Sequence, residues 1–130
     1  MTAATALRCR LDLLRSDADG AVSAFAVPAD DPVFSGHYPG FPVLPGVMLV
    51  EAADRTVRAW AEPGAAHTLA AMSRCRFLRP VYPGERLTVE IAVTRVPDGL
   101  RVKASAGTSA GKVAEIRLTY RTTDVEEGSR

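Results

Sequence analysis

Apolar and polar residues alternate with a period of two along most of the chain. Leu87, Val89, Ile91 and Val93 are interleaved with Thr88, Glu90 and Thr94, which predicts a strand with one buried face. Pro97-Asp98-Gly99 reads as a hairpin turn. Beyond it, Leu100, Val102 and Ala104 alternate with Arg101, Lys103 and Ser105. Residues 107–112 read as another turn, after which Ala114, Ile116, Leu118 and Tyr120 alternate with Glu115, Arg117, Thr119 and Arg121. Near the start, Leu7, Cys9, Leu11 and Leu13 alternate with Arg8, Arg10 and Asp12, predicting a strand with one buried face. Asp17-Ala18-Asp19-Gly20 is turn chemistry. It leads into Val22, Ala24 and Ala26 alternating with Ser23, Phe25 and Val27, so these two strands form a hairpin. Residues 68–78 read as one long strand. Short connections between about six strands imply antiparallel pairing.

Two segments break the rhythm. Residues 31–46 are dense in Pro and Gly and predict a rigid, irregular loop, because Pro fixes φ and Gly permits otherwise strained geometry. Residues 47–61 contain neither and predict the one long helix, stopped by Glu62-Pro63-Gly64. Its first turn, Val47 to Val50, is apolar on nearly all sides, which predicts burial. The order of elements points to an α+β protein, with a six-stranded antiparallel sheet wrapped around one long central helix.

Composition narrows the function. The 130 residues make a single domain spanning 1–130, with loose ends at about 1–5 and 124–130. A formal net charge of +1 gives no electrostatic case for binding nucleic acid. No run approaches the roughly 20 apolar residues of a membrane span, and the first residues lack the charged and apolar regions of a secretion signal. Cys9 and Cys75 are the only cysteines, with no CxxC and too few for a four-cysteine zinc site. The expectation is a cytoplasmic protein with reduced thiols, no metal, no membrane and no nucleic-acid partner.

Two ionisable residues stand out by position. His37 lies within Phe34-Ser35-Gly36-His37-Tyr38-Pro39-Gly40, and Glu51 follows Met48-Leu49-Val50 on the helix. A histidine accepts a proton near neutral pH, and a carboxyl group in apolar surroundings stays protonated and acts as an acid. A base and an acid facing one substrate suit an α,β-elimination. Gly46, just before the helix, adds amide N–H groups that carry positive partial charge and can polarise a carbonyl. Spacing alone also allows plainer roles. Glu51 with Arg55, and Asp54 with Arg58, stand four apart as ordinary helix ion pairs. A histidine in a Gly/Pro loop also serves as a loop brace.

The segments Gly36-His37-Tyr38-Pro39, Pro42-Val43-Leu44-Pro45-Gly46-Val47 and Glu51-Ala52 together resemble the signature of the 3-hydroxyacyl-[acyl-carrier-protein] dehydratases, which are hotdog-fold enzymes. Arg76-Phe77-Leu78-Arg79-Pro80-Val81 and Pro83-Gly84-Glu85-Arg86-Leu87 resemble later elements of the same family. His37 and Glu51 stand fourteen positions apart, the family spacing, and the resemblance runs from Ala6 to about Thr122. It implies that His37 removes a Cα proton and that Glu51 protonates the departing 3-hydroxyl. The Gly46 N–H then binds the thioester carbonyl, and the Val43 carbonyl orients His37. It further implies an acyl carrier protein as substrate carrier and no cofactor beyond that carrier's phosphopantetheine. The expected unit is a homodimer, or a heterodimer with a related hotdog subunit, uniting His37 with Glu51 of the partner.

Three positions depart from the family pattern. Arg55 stands where Gln is usual, Phe41 where a polar residue is frequent, and Tyr38 where Phe is usual. A guanidinium beside Glu51 would oppose its role as an acid. The departures suggest a divergent member serving polyketide or another specialised acyl chain. Alternatives are a hotdog acyl thioesterase, or a partner subunit of a heteromeric dehydratase. Arg74, Arg76, Arg79 and Arg86 form a modest basic cluster, readable as a solvated sheet face or, at Arg76 and Arg79, as a docking site for the acidic carrier. His67 reads as a solvated turn residue, Cys75 as a small core residue and Trp60 as packing.

Overall fold

The computed structural model of the chain describes residues 10–27, 46–62 and 66–123. Six strands are present: β1 (Leu11–Asp17), β2 (Gly20–Ala26), β3 (Ala66–Phe77), β4 (Arg86–Val96), β5 (Gly99–Thr108) and β6 (Gly111–Thr123). Among the described residues one helix, α1 (Gly46–Trp60), lies between β2 and β3 in the chain. The strands form one sheet in the order β1-β2-β4-β5-β6-β3, and every pair is antiparallel. This is the α+β arrangement expected from the sequence. The expected Pro/Gly loop, short of Gly46, lies outside the described residues, as do the two chain ends.

The period of two maps onto burial in the middle of the sheet. Leu87, Val89, Ile91 and Val93 of β4, Leu100, Val102 and Ala104 of β5, and Ile116, Leu118 and Tyr120 of β6 all face α1 and are buried. Paired registers Ile91↔Ala104 and Ala104↔Ile116 keep these side chains in line across the strands. In β2 the inward set is Ala21, Ser23 and Phe25, with Val27 just beyond the strand; Ala26 is exposed. The helix contributes Met48, Leu49, Ala52, Ala53, Thr56 and Val57 to the same core. Each fully buried aliphatic or aromatic side chain stabilises the fold by about 1.5–3 kcal/mol.

The predicted turns are in place. Asp17 pairs with Gly20, and the Asp17 carboxylate accepts the Asp19 N–H at 2.8 Å, closing the first hairpin. Val96 pairs with Gly99 across the two-residue turn Pro97-Asp98. The turn expected over residues 107–112 is tighter than that, because Thr108 already pairs with Gly111.

The two edge strands differ from expectation. β1 was expected to bury one face, yet past Leu11 all its residues are exposed, including Leu13 (43%) and Leu14 (54%). It sits at the sheet edge, and a register shift between Leu13 and Arg15 breaks its alternation. β3 forms the other edge and is exposed over most of its length. Its apolar residues Leu69, Met72, Cys75 and Phe77 do not alternate. Two register shifts, between Leu69 and Ala71 and between Met72 and Arg74, re-phase the strand. All four therefore pair with inward-facing residues of β6: Tyr120, Leu118, Ile116 and Ala114. The helix packs on β4 and on β1, β2, β5 and β6, and β3 meets it at Phe77, while Leu69 and Met72 of β3 stay exposed. No helix among the described residues is long and apolar enough to cross a membrane.

Candidate active site at the start of the helix

α1 begins at Gly46, so the unpaired amide groups of its first turn gather there. The Phe77 ring, at the end of β3, packs against this glycine. A Cβ on Gly46 would lie 2.7 Å from Phe77 Cζ, closer than real carbon atoms approach. Glycine is thus the residue that lets ring and helix start meet. Two segments singled out in the sequence, one containing Gly46 and one containing Phe77, are brought into contact here.

Glu51 lies five residues along the helix, about 7.5 Å further up its axis. The buried residues of α1 share the side turned to the sheet, and at about 100° per residue Glu51 falls on the opposite side. It is half-buried there. Val47, one turn earlier on that side, is 61% exposed, whereas Met48 and Leu49 are buried. The expected burial of the whole first turn is therefore corrected: the sheet covers only one side of the helix. Arg55 places its guanidinium over the Phe25 ring of β2, 5.2 Å from the centroid. His37 and Val43, the expected base and its orienting carbonyl, lie outside the described residues, as do Tyr38, Phe41 and Cys9.

Polar contacts fix the helix carrying Glu51. The buried Thr56 hydroxyl donates to the Ala52 carbonyl at 2.8 Å, and Ser23 of β2 meets Thr56 Oγ1 at 2.7 Å. Thr56 has one hydroxyl proton, so Ser23 is the donor in the second bond. Lower on the helix, Asp54 accepts the Tyr120 hydroxyl at 2.6 Å and the Arg58 Nε–H at 3.1 Å. Burial and the adjoining Asp54 carboxylate push the Tyr120 phenol well above its ordinary pKa. The Asp54–Arg58 pair follows from i,i+4 spacing; the Ser23–Thr56 and Tyr120–Asp54 bonds join residues 33 and 66 apart and had no local signal.

The Pro83-Gly84-Glu85 segment forms a turn that fastens β2 to β4. Gly84 has φ +86°, a region that favours glycine, and its N–H donates to the Val27 carbonyl at 2.9 Å. The Glu85 carboxylate accepts the Tyr82 N–H at 2.7 Å. That turn follows the segment carrying Phe77.

The remaining candidates are elsewhere. Arg76 is exposed, with Nη1 3.7 Å from Glu115 Oε1. Arg79 follows β3, beside Gly111, and its N–H donates to the Val113 carbonyl at 3.3 Å. His67 is not a turn residue: it lies in β3, half-buried, with Nδ1 2.8 Å from Thr122 Oγ1. Burial and the Arg58 and Arg95 charges lower its pKa. Cys75 is a half-buried free thiol at the margin of the core, its pKa raised by burial. Trp60 is a packing residue, as expected; its Nε1–H donates to the Asp17 carbonyl at 2.7 Å and Arg95 lies over its ring. Among the described residues no three His, Cys, Asp or Glu side chains are grouped to hold a metal ion.

The sequence pattern of the ApeI-like dehydratases matches residues 14–115. The chain is 32% identical over 107 residues to the 3-hydroxyacyl-[acyl-carrier-protein] dehydratase FabZ of Listeria innocua, covering 78% of this chain and 74% of that one. It is 34% identical over 107 residues to FabZ of Bacillus cereus, with the same coverage. Among solved structures, the fold is similar to the dehydratase heterocomplex ApeI:P from Xenorhabdus doucetiae, with TM-score 0.68, 16% identity, and 86% of this chain and 98% of that one covered. It is also similar to the E. coli PaaI protein of the phenylacetic acid degradation operon, with TM-score 0.71, 23% identity, and coverage of 87% and 79%.

Proposed function

The chain belongs to the ApeI-like dehydratase family, and from that premise we propose that it removes water from a 3-hydroxyacyl thioester on acyl carrier protein, giving the trans-2-enoyl thioester for fatty-acid or polyketide-type synthesis. The observation that carries the reading is the meeting of Gly46 and Phe77 at the helix start, with Glu51 on the side of the same helix left open by the sheet.

In this reading the thioester carbonyl accepts a hydrogen bond from the Gly46 N–H, which strengthens as the carbonyl oxygen gains charge. His37, oriented by the Val43 carbonyl, takes the C2 proton. The electron pair forms the C2–C3 double bond, the C3–O bond breaks, and Glu51 supplies the proton with which hydroxide departs as water. The imidazolium proton then returns to the carboxylate through solvent. Oxidation state is unchanged overall, so the step calls for no cofactor beyond the phosphopantetheine arm. We assign the chain to the cytoplasm on the same reading.

The exposed β3 edge supports a two-subunit unit. Leu69 (37%), Met72 (50%) and Phe77 (53%) are exposed on the helix-side face of that edge, and among the described residues no strand neighbours the outer side of β3. A second hotdog subunit, identical or related, would pair with this edge and cover these side chains.

The test is incubation with 3-hydroxyacyl carrier protein and detection of water loss by intact mass. His37→Ala and Glu51→Gln should each lower the rate by about two to four orders of magnitude, the usual scale for positioned acid–base groups. Full turnover by either variant removes that residue from the mechanism. Free thiol released without enoyl product would make the chain a thioesterase.

A further inference from the structure

The sheet face turned away from α1 carries its charges in rows, and two neighbouring rows are built differently. In one row each carboxylate has a cation beside it. Val22↔Glu90↔Ser105↔Glu115↔Arg76 run across β2, β4, β5, β6 and β3, with Arg15 at the β1 end. Here Glu90 has Arg15 at 3.9 Å, and Glu115 has Arg76 at 3.7 Å and Lys112 at 2.8 Å. The next row has one sign only: Arg74 of β3 stands opposite Arg117 of β6, which stands opposite Lys103 of β5. Arg101 lies two residues along β5, opposite Thr94 and Thr119. All four cations are exposed, and among the described residues none of the four is in an ion pair.

Like charges directly opposite on adjacent strands destabilise a sheet. A protein of net charge +1 that balances one row and leaves the next entirely cationic is carrying a local cost that an anionic partner would offset. The row is also shaped. Arg117 and Lys103 line both of two adjoining depressions, of about 330 and 500 Å³, with Arg74 in one, beside Lys112 and the Glu115 carboxylate, and Arg101 in the other.

We propose that Arg74, Arg117, Lys103 and Arg101 form the docking surface for an acidic face of the acyl carrier protein. This rests on the carrier-linked reading above. The chemistry of the surround favours a protein over a lipid surface. The side chains lining the second depression include Ser73, Thr94 and Thr119, with no exposed aromatic or large aliphatic group to enter a bilayer. The paired row containing Glu90 and Glu115 bounds the cations on one side, which suits a discrete acidic patch. Arg74 is three residues before Phe77, about 10 Å along the strand from the ring that packs on Gly46, and on the opposite face of β3, so a carrier docked here reaches the site around the sheet. Arg76, already facing Glu115, belongs to the paired row rather than this one.

The test pairs binding with kinetics, using the double variant Lys103→Glu/Arg117→Glu at two exposed positions. Purified holo acyl carrier protein is titrated by fluorescence anisotropy against wild type and variant at two salt concentrations. Binding should weaken at least tenfold in the variant and lose much of its salt dependence. In turnover, KM for the carrier-borne 3-hydroxyacyl substrate should rise by the same factor, with kcat/KM for the small N-acetylcysteamine thioester unchanged. Thermal stability should change little, since the substitution at 117 makes its pair with Arg74 opposite in sign while positions 103 and 117 stay alike. Carrier binding unchanged in the variant, or absent in the wild type, overturns the docking surface. So does wild-type binding to phosphatidylglycerol vesicles that the variant loses while keeping the carrier. Loss of carrier binding with no turnover of either substrate by wild type upholds the docking surface and overturns the dehydratase reading. Turnover of the small thioester with carrier binding unmoved does the reverse.

Discussion

Thr56 and Ser23 form a buried hydroxyl pair between helix and sheet, 2.7 Å apart. In Thr56→Val the Ser23 hydroxyl keeps its burial and loses its acceptor, which costs about 1–3 kcal/mol. Replacing both, as Ser23→Ala with Thr56→Val, leaves no unpaired polar group and should recover most of that loss. Urea denaturation of the single and double variants checks the order. Tyr120 makes a second prediction through pH. Its raised pKa means the folded protein keeps the phenol proton where the unfolded chain, with a pKa near 10, releases it. Stability is then intact below about pH 10 and falls above it, and the fall should be absent in Tyr120→Phe. His67 acts at the other end. Its lowered pKa makes the unfolded chain bind the proton first, so stability declines as pH drops below about 6.5. Thermal unfolding followed from pH 5 to 7.5, with His67→Gln as control, reads this directly.

At the scale of elements, the helix start and the end of β3 act together. Gly46→Ala introduces a Cβ 2.7 Å from Phe77 Cζ, and the half-exposed ring has room to turn away. The expected outcome is a loss of turnover of at least tenfold with a modest change in melting temperature. Phe77→Ala in the same chain should recover the stability but not the activity if the ring itself helps to shape the site. Equal recovery of both would reduce Phe77 to a packing contact. The first turn of α1 was legible as apolar but not as one-sided, because four consecutive apolar residues carry no phase. Only the sheet beneath decides that Met48 and Leu49 go in and Val47 stays out. The β3 pattern has a similar cause. Leu69, Met72, Cys75 and Phe77 fit no strand period, and the two register shifts that align them arise from pairing with β6.

At the scale of the whole molecule, the proposed two-subunit unit places its interface at the β3 edge. Met72→Lys puts a charge on an exposed apolar position at that edge and should shift the chain to monomer, with turnover falling in parallel. Sedimentation velocity against activity at matched concentration measures both. A Met72→Lys dimer with full activity would assign the interface to another surface.

The sequence alone determined the strands and turns of β4, β5 and β6, the helix and its ends, and the candidate residues Gly46 and Glu51. Each of these is set by local spacing: period two on a half-buried strand, Pro and Gly at turns, a helix free of both. The tertiary structure decided what spacing cannot carry. It brought Phe77 onto Gly46, joined Ser23 to Thr56 and Tyr120 to Asp54, and set Arg74 beside Arg117 and Lys103. These neighbours are made by the strand order β1-β2-β4-β5-β6-β3, which puts β3 against β6 and sends β1 to the far edge. The physical reason is that a residue's own pattern fixes which face it presents, whereas its neighbours across a sheet depend on pairing between distant segments.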